Sequence, residues 1–246
     1  MYRNLDAKKI VETCGVARDQ IGDRFPGSSL SKVAEEIHGV SSHAAELSGW
    51  LAKPHVPLRA VAGLGIAAVI IIVLSVVLNV KVQPTFGSIA DLLQGSEAAI
   101  NEVVFLGIAV FFFFSLETRL KRRRVLRAIH VLRSMAHIID MHQLTKDPER
   151  LSGTVPADQP AVRRPQNPAE LIRYLDYCSD LLALLSKIAA LYVQNFEDPV
   201  TLSAVNEVEN LTNGLSRKIW QKIMIFDRIL APGIAPVTAS RTPGGE

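Results

Sequence analysis

The chain contains only two cysteines among its 246 residues, Cys14 and Cys178, and they lie far apart without the spacing of a ligand pair. Domains held together by disulfides, and structural zinc sites, need several cysteines at short and regular intervals. The sequence therefore indicates neither kind of site. Both cysteines are predicted to be reduced residues of a hydrophobic core.

Familiar catalytic and nucleotide-binding motifs are missing as well. The sequence has no Gly-rich phosphate loop ending in Lys-Ser/Thr, no nucleophile elbow, no paired Cys-x-x-Cys and no His-Glu-x-x-His helix. This lowers the expectation of an enzyme without excluding an unfamiliar one, and no cofactor is indicated. A net charge of +3 is too small to indicate nucleic-acid binding across the whole surface.

Charge is entirely lacking from the stretch Ala60–Val80, and nearly all of its residues are apolar. Roughly 20 apolar residues, rising about 1.5 Å each, cross the hydrocarbon layer of a bilayer, so this stretch predicts a transmembrane helix. A second apolar span follows at Ala98–Leu116. The mean hydropathy of +0.22 is low for a chain that lies mostly in lipid, so the remaining mass is expected in water. The fold class predicted is an all-α membrane protein with a two-helix transmembrane hairpin.

Basic residues next to the spans predict the orientation of this hairpin. Lys53 and Arg59 precede the first span, whereas the connection between the spans holds Lys81 against three acidic residues. A basic cluster follows the second span and consists of Arg119, Lys121, Arg122, Arg123, Arg124 and Arg127. Because Lys and Arg are retained on the cytoplasmic side, both termini are predicted to be cytoplasmic, in the inner membrane if the source is bacterial. The cluster either binds anionic lipid headgroups or only fixes the topology, and both can hold together.

Helical periodicity divides the rest of the chain into four parts. Residues 1–57 predict a pair of helices broken at Gly22, Asp23, Pro26 and Gly27, the second helix starting from Ser28 or Ser29 and carrying an apolar seam from Leu30 to Leu51. Residues 58–118 form the hairpin with its short external loop. Residues 119–230 predict a helical region containing a linker at 145–167, and residues 231–246 a disordered tail. The helices outside the hairpin are expected to form a cytoplasmic bundle.

The second span is predicted to continue as one helix to about Leu144, since no Pro or Gly interrupts it. Its apolar stripe comprises Val125, Ile129, Leu132, Ala136 and Ile139. A polar stripe lies beside it and comprises His130, Arg133, His137 and Asp140. His130, His137 and Asp140 are candidate metal ligands, but metal binding would need ligands from another helix. A buried ion-paired network or a solvated face accounts for the same residues and is favoured.

The helix after Pro168 carries two neighbouring apolar seams. One runs from Leu175 to Phe196 and the other from Leu181 to Leu191. A face this wide is typical of a helix at the centre of a bundle. The seams at Leu30–Leu51 and Leu175–Phe196 could alternatively pair between chains.

Small residues in the first span offer a further contact surface. Ala60, Gly63 and Ala67 lie three and four positions apart, so another helix could approach closely there, within the hairpin or between subunits. Small residues are also simply common in membrane helices. Together with the seams, this stripe predicts a homo-oligomer.

Three segments resemble pieces of uncharacterised bacterial two-span inner-membrane proteins: ETRLKRRR, HIIDMHQLTKDPE (His137–Glu149) and SRKIWQKI (Ser216–Ile223). The resemblance implies a bacterial inner-membrane setting and carries no known activity.

These patterns favour a membrane-anchored scaffold or signalling component that acts through helix–helix contacts. The main alternative is an oligomeric channel or pore-forming effector, gated by the bundle, because two spans per chain cannot line a pore alone. The third interpretation is an enzyme or metal protein that uses His130, His137 and Asp140.

Overall fold

The computed structural model describes residues 4–79, 89–144 and 168–230, which form six helices and contain no strand. The prediction of an all-α chain is confirmed for these residues. The predicted linker at 145–167 and the tail at 231–246 lie outside the described residues, as do residues 80–88 between the spans. In chain order the helices are α1 (Ala7–Arg24), α2 (Ser29–Ala52), α3 (Val56–Asn79), α4 (Ile89–Leu144), α5 (Pro168–Gln194) and α6 (Pro199–Leu230).

The two N-terminal helices are separated by a tight turn. The Asp6 side chain caps α1 by accepting from the Lys8 N–H at 3.0 Å, and Ser28 caps α2 by accepting from the Ser31 N–H at 3.0 Å. Gly27 has a φ of 69°, a conformation that glycine adopts at little cost. The predicted break at Gly22 and Asp23 is wrong, because α1 continues through both residues to Arg24. One glycine in an exposed helix costs only about 1 kcal/mol, and packing overrides it.

Helix α5 lies at the centre of a five-helix bundle. It contacts α1, α2, α6 and the second half of α4. Both predicted seams of α5 are buried, which confirms its central position; the buried side chains are Leu175, Cys178, Leu181, Leu182, Leu184, Leu185, Ile188, Ala189, Leu191, Tyr192 and Phe196. Cys14 and Cys178 are buried and form no disulfide, as predicted.

Contacts at the two ends of α5 give the direction of its neighbours. Phe25, after α1, packs edge-on against Tyr174 at the start of α5, with ring centroids 5.6 Å apart. The Ser48 hydroxyl donates to the Leu191 carbonyl near the end of α5, at 3.1 Å. Helix α1 is therefore antiparallel to α5 and α2 is parallel to it. Since Asp198 between α5 and α6 pairs with Arg122, α4 is antiparallel to α5 as well.

The apolar seams of α2 (Leu30–Leu51) and α5 (Leu175–Phe196) pack against other helices of the same chain. Leu30, Ile37 and Ala44 of α2 have no exposed surface, and neither does Leu175 of α5. Pairing of these seams between chains would require the bundle to open. The burial of most of both seams within one chain therefore disfavours that route to a homo-oligomer, which the sequence had left open.

Helix α4 joins the bundle to an apolar hairpin without a break. Its 56 residues span about 84 Å at 1.5 Å each. Residues after Glu117 belong to the bundle, where the predicted stripe Val125, Ile129, Leu132, Ala136 and Ile139 is entirely buried. Residues 89–116 pair with α3 and form what is called here the apolar hairpin. The predicted continuation of the second span to Leu144 is confirmed.

Two helices of the structure are long and apolar enough to span a membrane. Each contains an 18-residue apolar segment, one within Val56–Ser75 of α3 and one within Gly95–Leu144 of α4, and no residue of these two segments is buried inside the protein. Large apolar side chains are exposed on both helices; Leu64 is 71% exposed and Phe114 is 82% exposed. Soluble monomers rarely expose a continuous apolar surface of this kind.

Candidate functional site at the junction of hairpin and bundle

Polar contacts concentrate where α2 ends, α3 begins and α4 passes from apolar to basic sequence; this region is called the junction. Glu117 of α4 is its central acidic residue. Arg59 Nε donates to Glu117 Oε2 at 2.7 Å, and Lys121 Nζ lies 3.0 Å from Oε1. The backbone N–H of His55 also donates to Oε1, at 3.3 Å. One carboxylate thus ties the start of α3 and the chain after α2 to α4.

Lys121 is buried at the end of α2. Its Nζ donates to the carbonyls of Leu51 and Lys53, at 3.1 and 3.0 Å. The last carbonyls of a helix lack partners within the helix and carry partial negative charge, so an ammonium group stabilises them. The assignment of Lys121 to a membrane-surface cluster is therefore corrected: its charge is satisfied inside the protein.

Arg122 is held in a similar way by the start of α6. Its guanidinium donates through Nε and Nη2 to the Asp198 carboxylate, whose side chain is only 2% exposed. Asp198 also accepts from the Thr201 N–H at 3.0 Å and the Thr201 hydroxyl at 2.9 Å, so it caps α6. Burial acts to raise the pKa of this carboxyl, but the hydrogen bonds from Arg122 and Thr201 outweigh it and leave the pKa lowered. Arg122 is likewise a structural residue rather than a free surface charge.

The other four members of the predicted basic cluster are exposed: Arg119, Arg123, Arg124 and Arg127. The Arg124 guanidinium carbon lies 4.3 Å from the centre of the Trp50 ring, and that of Arg119 lies 5.7 Å from the Phe112 ring. Both distances fit cation–π contacts. The cluster thus divides into two residues that bind protein and four that face outward, and lipid binding by these four stays a prediction.

Two cavities meet at the contact between Trp50 and Arg124, which line both of them. The upper cavity, of about 740 Å³, lies between α2 and α4 and reaches Val40 and Val131. The lower cavity, of about 350 Å³, lies beside the first turns of α3 and reaches Leu58 and Val61. Together they form an open groove that runs from the bundle to the base of the apolar hairpin.

His55 lies against this groove with one ring nitrogen unused. Its ring stacks on Trp50 with centroids 4.0 Å apart, and it lines the lower cavity. The Nε2 atom is buried and has no hydrogen-bond partner among the described residues. A buried polar atom without a partner is costly, so a ligand or solvent group at this position would be stabilising.

The polar stripe of α4 does not come together as a metal site. His130 and His137 are exposed, and Arg133 pairs with Glu207 of α6 at 3.3 Å. Asp140 accepts a hydrogen bond from Gln143 one turn later. Across the described residues, no group of three or more His, Cys, Asp and Glu side chains could hold a metal ion. The stripe has the properties of a solvated helix face.

The predicted small-residue stripe does not face α4. Ala60 and Ala67 are exposed, and a side chain added at Gly63 would meet open space. The close approach within the hairpin is instead at Gly65, where an added Cβ would lie 2.6 Å from Cε1 of Phe113. A contact at Ala60, Gly63 and Ala67, if it forms, is therefore made with another molecule.

The sequence did not identify Trp50 and His55 as site residues. The signal available was position, because a tryptophan just before an apolar span is typical of the membrane–water interface. Asp198 directly precedes Pro199, a sequence typical of a helix start, but its partner Arg122 lies 76 positions away, where no local pattern can identify it.

No protein-family model, curated protein or solved structure matches this chain significantly.

Proposed function

We propose that this protein is a membrane-anchored scaffold or signalling component, whose bundle lies on the cytoplasmic side and acts through helix–helix contacts. The apolar hairpin would cross the bilayer, with both termini cytoplasmic. The exposed arginines of α4, namely Arg119, Arg123, Arg124 and Arg127, would lie near anionic lipid headgroups. Each basic residue near a charged bilayer contributes about 1 kcal/mol to such attraction.

The continuity of α4 is the observation that carries this proposal. One helix holds an exposed apolar surface in its first half and a buried bundle stripe in its second half. Glu117 marks the boundary, with ion pairs to Arg59 and Lys121 on either side. Because no flexible segment separates the halves, a displacement of the hairpin is transmitted to the bundle. This arrangement suits a scaffold in which a movement of the hairpin changes the position of the cytoplasmic bundle.

A surface for helix–helix contacts is present at the end of the bundle opposite the junction. Met141 and Leu144 of α4 are exposed there, as are Trp220 and Met224 of α6. The two helix ends are adjacent, because Lys222 Nζ donates to the Gln143 carbonyl at 3.2 Å. Exposed aromatic and Met side chains are enriched in protein interfaces. We propose that a second copy of the chain binds here.

Two measurements test this proposal. Carbonate washing of membranes should leave the full-length protein in the pellet, and its release into the supernatant would contradict membrane anchoring. Light scattering of the detergent-solubilised protein should give more than one 26.9 kDa chain per particle. The double variant Trp220→Glu, Met224→Glu should lower that mass, whereas Val16→Glu, an equally exposed position on α1, should not.

An oligomeric channel is the second candidate function. The observation in its favour is that the lateral surface of the hairpin stays unburied, including Asn101 and Glu102 at the start of the apolar run. Several hairpins around one axis could cover apolar faces and line a pore with these polar groups. Ion flux through reconstituted vesicles, abolished by Glu102→Leu, would favour the channel over the scaffold.

A further inference from the structure

We infer that the groove at Trp50 is a binding site for one anionic phospholipid of the adjacent leaflet, with its phosphate at Arg124 and Arg127. The inference rests on the membrane anchoring proposed above and adds a specific lipid site to it. Four side chains would define the site: Trp50 and His55 from the end of α2 and the following turn, and Arg124 and Arg127 from α4.

The position of the groove fits a lipid. Its lower cavity is lined by Leu58, Val61 and Leu120, which continue directly into the apolar surface of the hairpin. Its upper cavity is lined by Arg124, which lies about two helical turns after Leu116, the last residue of the apolar segment. A phospholipid has the same order of chemistry along its length, with acyl chains in the hydrocarbon layer and a phosphate at the water boundary. A tryptophan between the two regions is typical of membrane interfaces.

The charge of the upper cavity also fits an anion. Two arginines and one acidic residue, Glu46, line it, which leaves one net positive charge before His43 is counted. Arg124 and Arg127 are three residues apart and lie on one face of α4. Guanidinium groups bind phosphate oxygens through paired N–H donors, so two of them can hold a single phosphate.

His55 supplies a separate reason to expect a polar ligand atom. Its Nε2 is buried beside the lower cavity and lacks a partner within the described part of the chain. An ester carbonyl or glycerol oxygen of a lipid at this depth would accept a hydrogen bond from it. An acyl chain alone would carry no charge for the two arginines. A free phosphate in the upper cavity would not reach His55 in the lower cavity.

Fluorescence quenching of Trp50 tests the site. The chain has two tryptophans, and Trp220 lies on α6 at the other end of the bundle, so Trp220→Phe leaves Trp50 as the sole tryptophan, which is excited selectively over the four tyrosines. The full-length protein is reconstituted into vesicles that contain phosphatidylglycerol or phosphatidylcholine brominated on the acyl chains. Stronger quenching by the brominated anionic lipid, at equal mole fraction, is the expected result.

Arg127→Gln and Arg123→Gln form the matched pair of variants. Both remove one exposed positive charge from α4, but only Arg127 lines the groove, and the arginine that lies over the Trp50 ring is Arg124, which both variants keep. Arg127→Gln should reduce the preference for phosphatidylglycerol about fivefold, and Arg123→Gln should leave it nearly unchanged. His55→Ala should weaken binding of both lipids in the lower cavity while the preference for the anionic lipid persists.

The outcomes distinguish failure of the specific lipid site from failure of membrane anchoring. Equal losses in Arg127→Gln and Arg123→Gln would overturn the specific site and leave nonspecific charge attraction at an anchored protein. Equal quenching by the two lipids in the unsubstituted background would also overturn the site. Absence of quenching by any brominated lipid, together with release by carbonate, would instead overturn membrane anchoring itself.

Discussion

Arg122 of α4 and Asp198 at the start of α6 form a bidentate ion pair at the junction end of the bundle. The carboxylate is almost fully buried and also caps α6 through Thr201. The pair therefore joins the helix that leaves the apolar hairpin to the last helix of the bundle. Removing Arg122 would leave the buried Asp198 carboxylate without its cation, and this defines the first prediction.

Arg122→Ala should lower the free energy of unfolding by about 2 to 3 kcal/mol, because Asp198 then stays buried without its cation. Arg123→Ala is the matched control, since Arg123 is the next residue and is exposed. It should change stability by less than about 0.5 kcal/mol. Denaturant unfolding of the detergent-solubilised protein, followed by helical circular dichroism, measures both. Equal effects of the two substitutions would show that the pair contributes nothing beyond a surface charge.

Stability should also depend on acid through Asp198. The pKa of its carboxyl is lowered in the folded protein, so its contribution is complete above the unfolded-state value of about 3.9 and is lost as the pH falls through the folded value. The difference in unfolding free energy between the wild type and Asp198→Asn should therefore be largest at neutral pH. It should shrink below about pH 4. A difference that stays constant between pH 7 and pH 3 would contradict this assignment.

The hairpin contact predicts a contrast between two neighbouring glycines. A Cβ at Gly65 meets the Phe113 ring, whereas a side chain at Gly63 meets open space. Gly65→Leu should destabilise the solubilised protein by about 1 to 3 kcal/mol, as overpacking of a close contact does. Gly63→Leu should leave thermal stability almost unchanged, and it should lower the oligomer mass if the Ala60, Gly63 and Ala67 stripe contacts a second chain. Loss of stability in Gly63→Leu alone would contradict the packing described.

Helical phase made much of the bundle predictable from sequence. The stripes of α4 and α5 follow apolar spacing of three and four, and burial alone places such faces inward. The same reasoning could have placed Lys121, because it lies four residues before Val125 and so continues the buried stripe. Lys121 was predicted to lie at the membrane surface because it belongs to a run of basic residues, although its helical position matches the buried stripe of α4.

Partners distant in sequence could not be predicted in this way. The groove lies between α2 and α4 on either side of the contact between Trp50 and Arg124, and no local pattern gives the spacing between two helices. The same limit applies to Gly65, since the sequence shows three small residues with regular spacing and does not show which glycine faces α4. Of the two contacts that the sequence left open for Gly63, the one within the hairpin is not formed, and the one between subunits stays a prediction.

Cysteine labelling in intact cells tests the central claim, that the apolar hairpin spans a membrane with the bundle inside. The native cysteines give little background, because both are buried and burial raises the pKa of the Cys14 thiol. Three single variants are compared with a reagent that cannot cross the membrane: Gln94→Cys near the start of α4, Lys53→Cys after α2, and Arg123→Cys beyond the apolar segment. Labelling at position 94 in intact cells, and at 53 and 123 only after permeabilisation, is the predicted result. Labelling at 53 and 123 but not at 94, or no labelling at any position before permeabilisation, would contradict the claim.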